Sequence, residues 1–228
     1  MSKAKSQTSR RPSRGTLLAL KQQAERDYRD GSYDKADAGW LEIFESFPTQ
    51  RSTASIFRAR IARRQGRVDD AIDNYRAALE ALPDHGEALR YVFGQYAAQG
   101  DIESASRLRD QLAAENPDSK GLAIAEAFIA QGRGQIDDML AGLKAATGRW
   151  HDEVLHVQYI DGLRHAQRYD EALEAIDTAL ARFPDSVRLE NRRAAAIRSL
   201  LSRAVADGER DLARIIHQTG YSGLESVV

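Results

Sequence analysis

Arg60, Arg63 and Arg64 place three guanidinium groups within five residues. A guanidinium is permanently charged and presents a planar fork of donors, so a cluster of them selects carboxylates or phosphates through paired hydrogen bonds. Other chemistry lacks material. The absence of cysteine excludes disulfides, thiolate metal sites and a cysteine nucleophile. His151 and His156 lie five residues apart, whereas a metal pair on one helix face needs a spacing of three or four, so no metal site is expected. Gly132-Arg133-Gly134-Gln135 follows a helical pattern and lacks the Lys-Ser/Thr ending of a phosphate loop. No Gly-x-Ser-x-Gly elbow is present. The acid pairs Asp69-Asp70 and Asp137-Asp138 fall at expected helix starts, where the free N–H groups explain them. The chain is read as a non-enzyme without a cofactor.

The elements that position the arginines are written in two phased series. Gly31, Gly66, Gly100, Gly134 and then Gln167 recur at intervals of 35, 34, 34 and 33 residues. Pro48, Pro83, Pro117, His151 and Pro184 recur at the same intervals. Two independent kinds of punctuation with one period imply a helix-turn-helix-turn unit copied five times. The expected copies are 17–50, 52–85, 86–119, 120–153 and 153–186. Within each, the first helix ends at the glycine mark, and the second opens on Asp34, Asp69, Glu103, Asp137 or Asp170. A stripe at i, i+4 and i+7 follows: Ala36, Trp40 and Ile43 in the first copy, with Ala71, Tyr75 and Ala78 in the second. The stripe continues with Ala105, Arg109 and Leu112, then Met139, Leu143 and Ala146, then Ala172, Ile176 and Ala179. This is the buried side of an amphipathic helix. Asp84, Asp118 and Asp185 are placed to cap the next first helix. The fourth copy lacks the proline and has Met139 in place of a small residue, which predicts shorter or tilted helices there.

Tyr33-Asp34-Lys35-Ala36, Val68-Asp69-Asp70-Ala71 and Tyr169-Asp170-Glu171-Ala172 resemble the core of tetratricopeptide repeats, as do the ends Leu79-Glu80-Ala81-Leu82-Pro83 and Leu180-Ala181-Arg182-Phe183-Pro184. The likeness covers about residues 17–186. It implies an all-α, right-handed α-solenoid of five repeats whose first helices line a concave groove. The groove positions of that family fall here on Lys21, Glu25, Tyr28 and Arg29 in the first repeat and on Ile56, Arg60, Arg63 and Arg64 in the second. Later repeats contribute Glu87 and Arg90, then Ile124 and Phe128, then Val154, Val157, Asp161 and Arg164. The resemblance therefore implies a groove that is basic in its first half and apolar in its middle. Members that bind chaperone tails use a two-carboxylate clamp of Lys and Asn residues. Of its five positions only Lys21 matches, and Glu25, Phe57, Glu87 and Tyr91 stand at the others, so this clamp is rejected.

Net charge is −1 over 228 residues. Residues 1–15 carry five basic side chains and no acid, and they lack apolar periodicity, so they read as a disordered basic arm. Residues 187–218 are expected to form a capping helix pair and 219–228 a flexible tail. Arginine outnumbers lysine 27 to 6, a ratio that points to a GC-rich bacterial genome. No apolar run approaches the ~20 residues of a membrane span. The reading is a cytoplasmic scaffold or adaptor that binds a protein or peptide segment, acidic in character, through Lys21, Arg29, Arg60, Arg63, Arg64, Arg90, Ile124, Phe128 and Arg164. Charge reversal at Arg60 and Arg64 is expected to leave the fold intact. Two rivals are a recruiting domain of a larger bacterial enzyme, such as a glycosyltransferase or sulfotransferase, and a nucleic-acid binder using the basic arm and the arginine cluster of the second repeat. A pI near 6.5 and the scarcity of aromatics among the basic residues argue against the second. The sequence leaves homo-oligomerisation open.

Overall fold

The computed structural model describes residues 13–206. These form eleven α-helices: α1 Arg14–Arg29, α2 Tyr33–Ser46, α3 Arg51–Arg64, α4 Val68–Leu79, α5 Gly86–Gln99, α6 Ile102–Glu115, α7 Lys120–Gly132, α8 Ile136–Arg149, α9 Glu153–His165, α10 Tyr169–Arg182 and α11 Val187–Ala206. A short 3₁₀ turn over Pro48–Gln50 joins α2 to α3. There is no strand among the described residues. The fold is all-α, of the helical-hairpin solenoid class. It divides into two compact units, one reaching Ala125 and the other beginning at Glu126.

The glycine series has a backbone cause. Gly31, Gly66, Gly100 and Gly134 all adopt positive φ, between 70° and 75°. Each lets the chain reverse directly after a first helix, in a region that a Cβ disfavours. Gln167 makes the same turn with φ 58°, the single non-glycine residue to do so among the described residues. A left-handed residue with a side chain costs ~1–2 kcal/mol, partly offset because glycine is more disordered when unfolded. Gln167→Gly is therefore expected to stabilise the second unit by ~0.5–1 kcal/mol, measured by urea unfolding, while Gly66→Ala should lose about 1 kcal/mol. No atom lies within 4 Å of a Cβ built on Gly66, so the Gly66→Ala effect would come from the backbone alone.

The stripe residues of the second helices form the core, except Arg109, whose charged side chain is partly exposed beside Asp110. Ala36, Trp40 and Ile43 of α2 are fully buried with Ala24, Ala54 and Ile61 from α1 and α3. In the second unit Met139, Leu140 and Leu143 of α8 pack with Leu163 and Ala172. Farther along, Ile176 and Ala179 of α10 pack with Val157, Ile160, Leu189 and Ala196. Met139 is accommodated by Gly162 on α9, where an added Cβ would lie 3.0 Å from the Met139 methyl. In the fourth repeat α7 has 13 residues, as α9 does, against 16, 14 and 14 for α1, α3 and α5, while α8 keeps 14 residues.

Two other expectations are corrected. The basic arm does not extend to residue 15, because α1 begins at Arg14 with the Ser13 hydroxyl accepting from the Thr16 N–H at 3.1 Å. Asp84 does not cap the helix that follows it. His85 Nδ1 accepts the Ala88 N–H at 3.3 Å instead, as burial favours the neutral imidazole by lowering its pKa. Asp84 reaches across to the start of α7, accepting from the Gly121 N–H at 2.9 Å and from the Ser119 hydroxyl. The second capping helix and the flexible tail lie outside the described residues.

Candidate functional site

The face shared by α1, α3 and α5 gathers the basic residues of the first compact unit. Its foundation is aromatic. Phe57 of α3 stacks on the buried Trp40 ring, centroids 4.1 Å apart and planes 5° apart. The Arg60 guanidinium lies 5.1 Å above Phe57, an attractive cation–π position. From there Arg60 crosses to α5 and grips Glu87, with Nη2 donating to Oε2 at 2.6 Å and Nε 3.1 Å from both oxygens. Tyr75 Oη of α4 donates to Glu87 Oε1 at 2.6 Å. Arg63 Nη1 donates to Tyr75 Oη at 3.2 Å and to Glu87 Oε1 at 3.3 Å, while its guanidinium lies 4.8 Å over the Tyr91 ring.

Glu87 is thus the hub of a network tying α3, α4 and α5 together. Burial alone would push its carboxyl upward, but the hydrogen bonds from Arg60 and Tyr75 and the nearby positive charges outweigh it and hold the pKa below the usual carboxylate range. The Tyr75 phenol is pushed up to about 12, by burial first and then by its bond to Glu87. Both groups keep their neutral-pH states, Glu87 ionised and Tyr75 protonated, so the network is fixed under ordinary conditions.

Arg64, Lys21 and Arg29 lie outside the Glu87 network. Arg64 is exposed and spends its Nε on Tyr28 Oη at 3.3 Å. Lys21 donates to Gln50 Oε1 at 2.6 Å. Arg29 is exposed and turns its Nε to its own helix, toward the Glu25 carbonyl at 3.4 Å. Arg90, on α5, is half-buried.

The three other expected site residues are Ile124, Phe128 and Arg164. Ile124 is 3 % exposed, so its side chain belongs to the core and cannot present an apolar surface to a partner. Phe128 remains half-buried. In the second unit, Arg164 lies 3.4 Å from Asp161 through Nη1, and Asp161 is held more closely by Arg192 of α11, at 3.0 and 3.2 Å.

Sequence reasoning placed Glu87 on the same face but missed its role, and it read Tyr75 only as core. The available signal was an acid at the second position of one first helix facing a cation at the ninth of the preceding one. His151 and His156, candidates for little more than packing, bracket the Phe183 ring at 4.7 and 5.6 Å. Among the described residues no group of three or more His, Cys, Asp or Glu side chains could hold a metal ion, and no helix is long and apolar enough to cross a membrane.

Comparison with known proteins gives a consistent assignment of architecture. Residues 62–125 match the family model described as tetratricopeptide repeat. No curated protein matches the chain in sequence. Among solved structures, the chain is similar to a thermophilic tetratricopeptide protein of Thermus thermophilus, at 21 % identity and TM-score 0.57, covering 79 % of this chain and 98 % of that one. A tetratricopeptide repeat protein of Parabacteroides merdae aligns at 16 % identity and TM-score 0.56, over 90 % and 85 % of the two chains. PilW, a type IV pilus biogenesis factor, aligns at 18 % identity and TM-score 0.52, over 92 % and 97 %. At these identities the likeness is one of fold.

Proposed function

Because the chain is a tetratricopeptide-repeat protein, we propose that it is a non-catalytic scaffold of the bacterial cytoplasm, holding an acidic stretch of a partner protein against α1, α3 and α5. The proposed surface comprises Lys21, Arg29, Arg60, Arg63, Arg64 and Arg90.

The observation that carries this reading is the division of labour among the arginines. A guanidinium has five N–H donors. Arg60 spends its fork on Glu87 and acts as a positioning residue. Arg64 gives only its Nε to Tyr28, and Arg63 shares one nitrogen between Tyr75 and Glu87, so both exposed side chains retain donors for an incoming carboxylate. Their bases are braced by Tyr28 and Tyr91, which lowers the entropy lost when a ligand is gripped.

The structure alters the choice of test. Reversing Arg60 would set a carboxylate against Glu87 and disturb the fold, contrary to the sequence expectation. Arg29→Glu/Arg64→Glu changes two exposed side chains that take no part in the Glu87 network and is expected to leave the thermal transition nearly unchanged. Binding of a fluorescent peptide of alternating Asp and Glu, followed by anisotropy, should weaken at least ~tenfold, or about 1.4 kcal/mol. The wild-type affinity should also fall as salt is raised. Undiminished binding by the double variant would remove the site from α3.

A further inference from the structure

His156 of α9 is 4 % exposed, and its Nε2 is buried without a hydrogen-bond partner among the described residues. The imidazole forms one wall of a cavity of about 160 Å³ between α8, α9 and α10, facing Thr147 of α8 and Thr178 of α10. Its ring also meets Phe183, the residue that closes α10, edge-on with centroids 5.6 Å apart. The Phe183 carbonyl accepts from the Ser186 N–H at 3.2 Å, so the same residue opens the turn into α11. We propose that His156 is a proton-sensitive latch on this α10–α11 corner. Neutral, it holds the corner closed; charged, it opens it.

An imidazolium carries a full charge and two N–H donors, so burying one requires acceptors in place. The charged and titratable groups facing His156 do not supply them. On α8 stands Lys144, and on α10 Arg182, whose Nη1 donates to the Thr147 carbonyl at 2.9 Å and so fixes a permanent positive charge beside the cavity. The link before α9 carries His151 and Asp152, and the Asp152 carboxylate is spent on capping α9, accepting from the Val154 N–H at 2.7 Å. Tyr159 of α9 and Glu171 and Glu174 of α10 complete the surroundings. Glu171 is gripped by both ends of the Arg168 fork, and neither glutamate accepts from Nε2. Burial first, and then the charges of Arg182 and His151, hold the imidazole pKa below its ordinary value against the pull of Asp152.

Proton uptake therefore favours a state in which the ring has reached water. That movement takes away the edge support of Phe183, leaving the exposed His151 ring at 4.7 Å as its other aromatic neighbour. The element that depends on the corner is α11, which docks through Leu189 and Ala196 against Val157, Ile160 and Ile176. The sign follows from linkage. The open corner binds the proton near the ordinary histidine value of ~6.5, and the closed corner binds it less readily. The contribution to stability is thus complete above ~6.5 and is lost as pH falls below it. This window lies above the one in which Glu87 titrates, and it concerns the second compact unit alone.

Hydrogen exchange of the full-length protein, resolved by mass spectrometry and corrected for the intrinsic pH dependence of amide exchange, tests the latch. Between pH 7.5 and pH 5.5, protection across the end of α10 and the first half of α11 is expected to fall roughly tenfold, the ratio set by one group titrating at ~6.5 in the open state. His156→Gln cannot take up the proton and should show equal protection at both pH values, whatever its absolute stability. His165→Gln removes an exposed histidine from the same helix and should retain the fall. A ring-resolved NMR titration of the wild type needs no variant, and it should place the His156 midpoint below ~6.5. Protection of the corner that is independent of pH, a loss confined to the first compact unit, or a loss that persists in His156→Gln would overturn the latch. So would an imidazole that titrates at or above ~6.5 in the folded protein.

Discussion

Truncation of Trp40 to alanine is expected to destabilise the first compact unit by about 3–5 kcal/mol, the range for removing a large aromatic from a packed core. The indole is 0 % exposed and sits among residues of α1, α2 and α3. Its loss would open a cavity bordered by Ala24, Ala54 and Ile61, whose small or branched side chains have little reach to refill it. It would also remove the stacked support of Phe57 and thereby loosen Arg60 above that ring. At ~2–4 °C per kcal/mol for a chain of this size, the thermal midpoint should fall by roughly 10 °C. Trp40→Phe provides the control. The indole N–H is buried with no acceptor among the described residues, so exchanging it for a hydrocarbon ring forfeits volume but no hydrogen bond. The cost should stay near 1–2 kcal/mol. An alanine variant that melted within about two degrees of the wild type would contradict this description of the core.

Arg60→Glu should produce the second large effect. The substitution removes a bidentate partner of Glu87 and sets two carboxylates side by side across α3 and α5. Breaking a fully buried pair in this way costs ~3–5 kcal/mol, but the Arg60 side chain is 37 % exposed and solvent screens the repulsion. About 2 kcal/mol is therefore expected, read from chemical unfolding at pH 7. The exchange Arg60→Glu/Glu87→Arg should recover only part of the loss, because the Tyr75 hydroxyl and Arg63 are arranged around an acceptor at position 87.

The pH dependence follows from the depressed Glu87 pKa. A carboxyl titrating lower in the folded state than in the unfolded one stabilises the fold above its unfolded pKa, about 4.3, and that contribution disappears as pH falls through the folded value. The difference between wild type and Arg60→Glu should be steady near neutrality and shrink below about pH 4. A difference that instead grew on acidification would place the network's energy elsewhere.

Much of this molecule could be read from its one-dimensional pattern. The paired punctuation series located the hairpins because a sharp reversal after a helix requires positive φ, a local property that glycine satisfies and that Gln167 adopts at some cost. The i, i+4, i+7 stripe marked the core because helical periodicity is local too: Ala36, Trp40, Ile43, Tyr75 and Ile176 are all fully buried. The clustering of Arg60, Arg63 and Arg64 on one helix was likewise legible.

What those arginines meet was decided by tertiary structure. Glu87 lies 27 residues from Arg60 and is brought to it only when α3 and α5 pack side by side. The same is true of Asp84 at the start of α7, 37 residues from the amide it receives. Ile124 illustrates the converse: a position assigned to a binding face by phase alone is core, because the packing of its neighbours sets exposure. Periodicity fixes which way a side chain leaves its own helix. It carries no information about the partner that arrives from another one, and charge pairing, cavity lining and burial all depend on that partner.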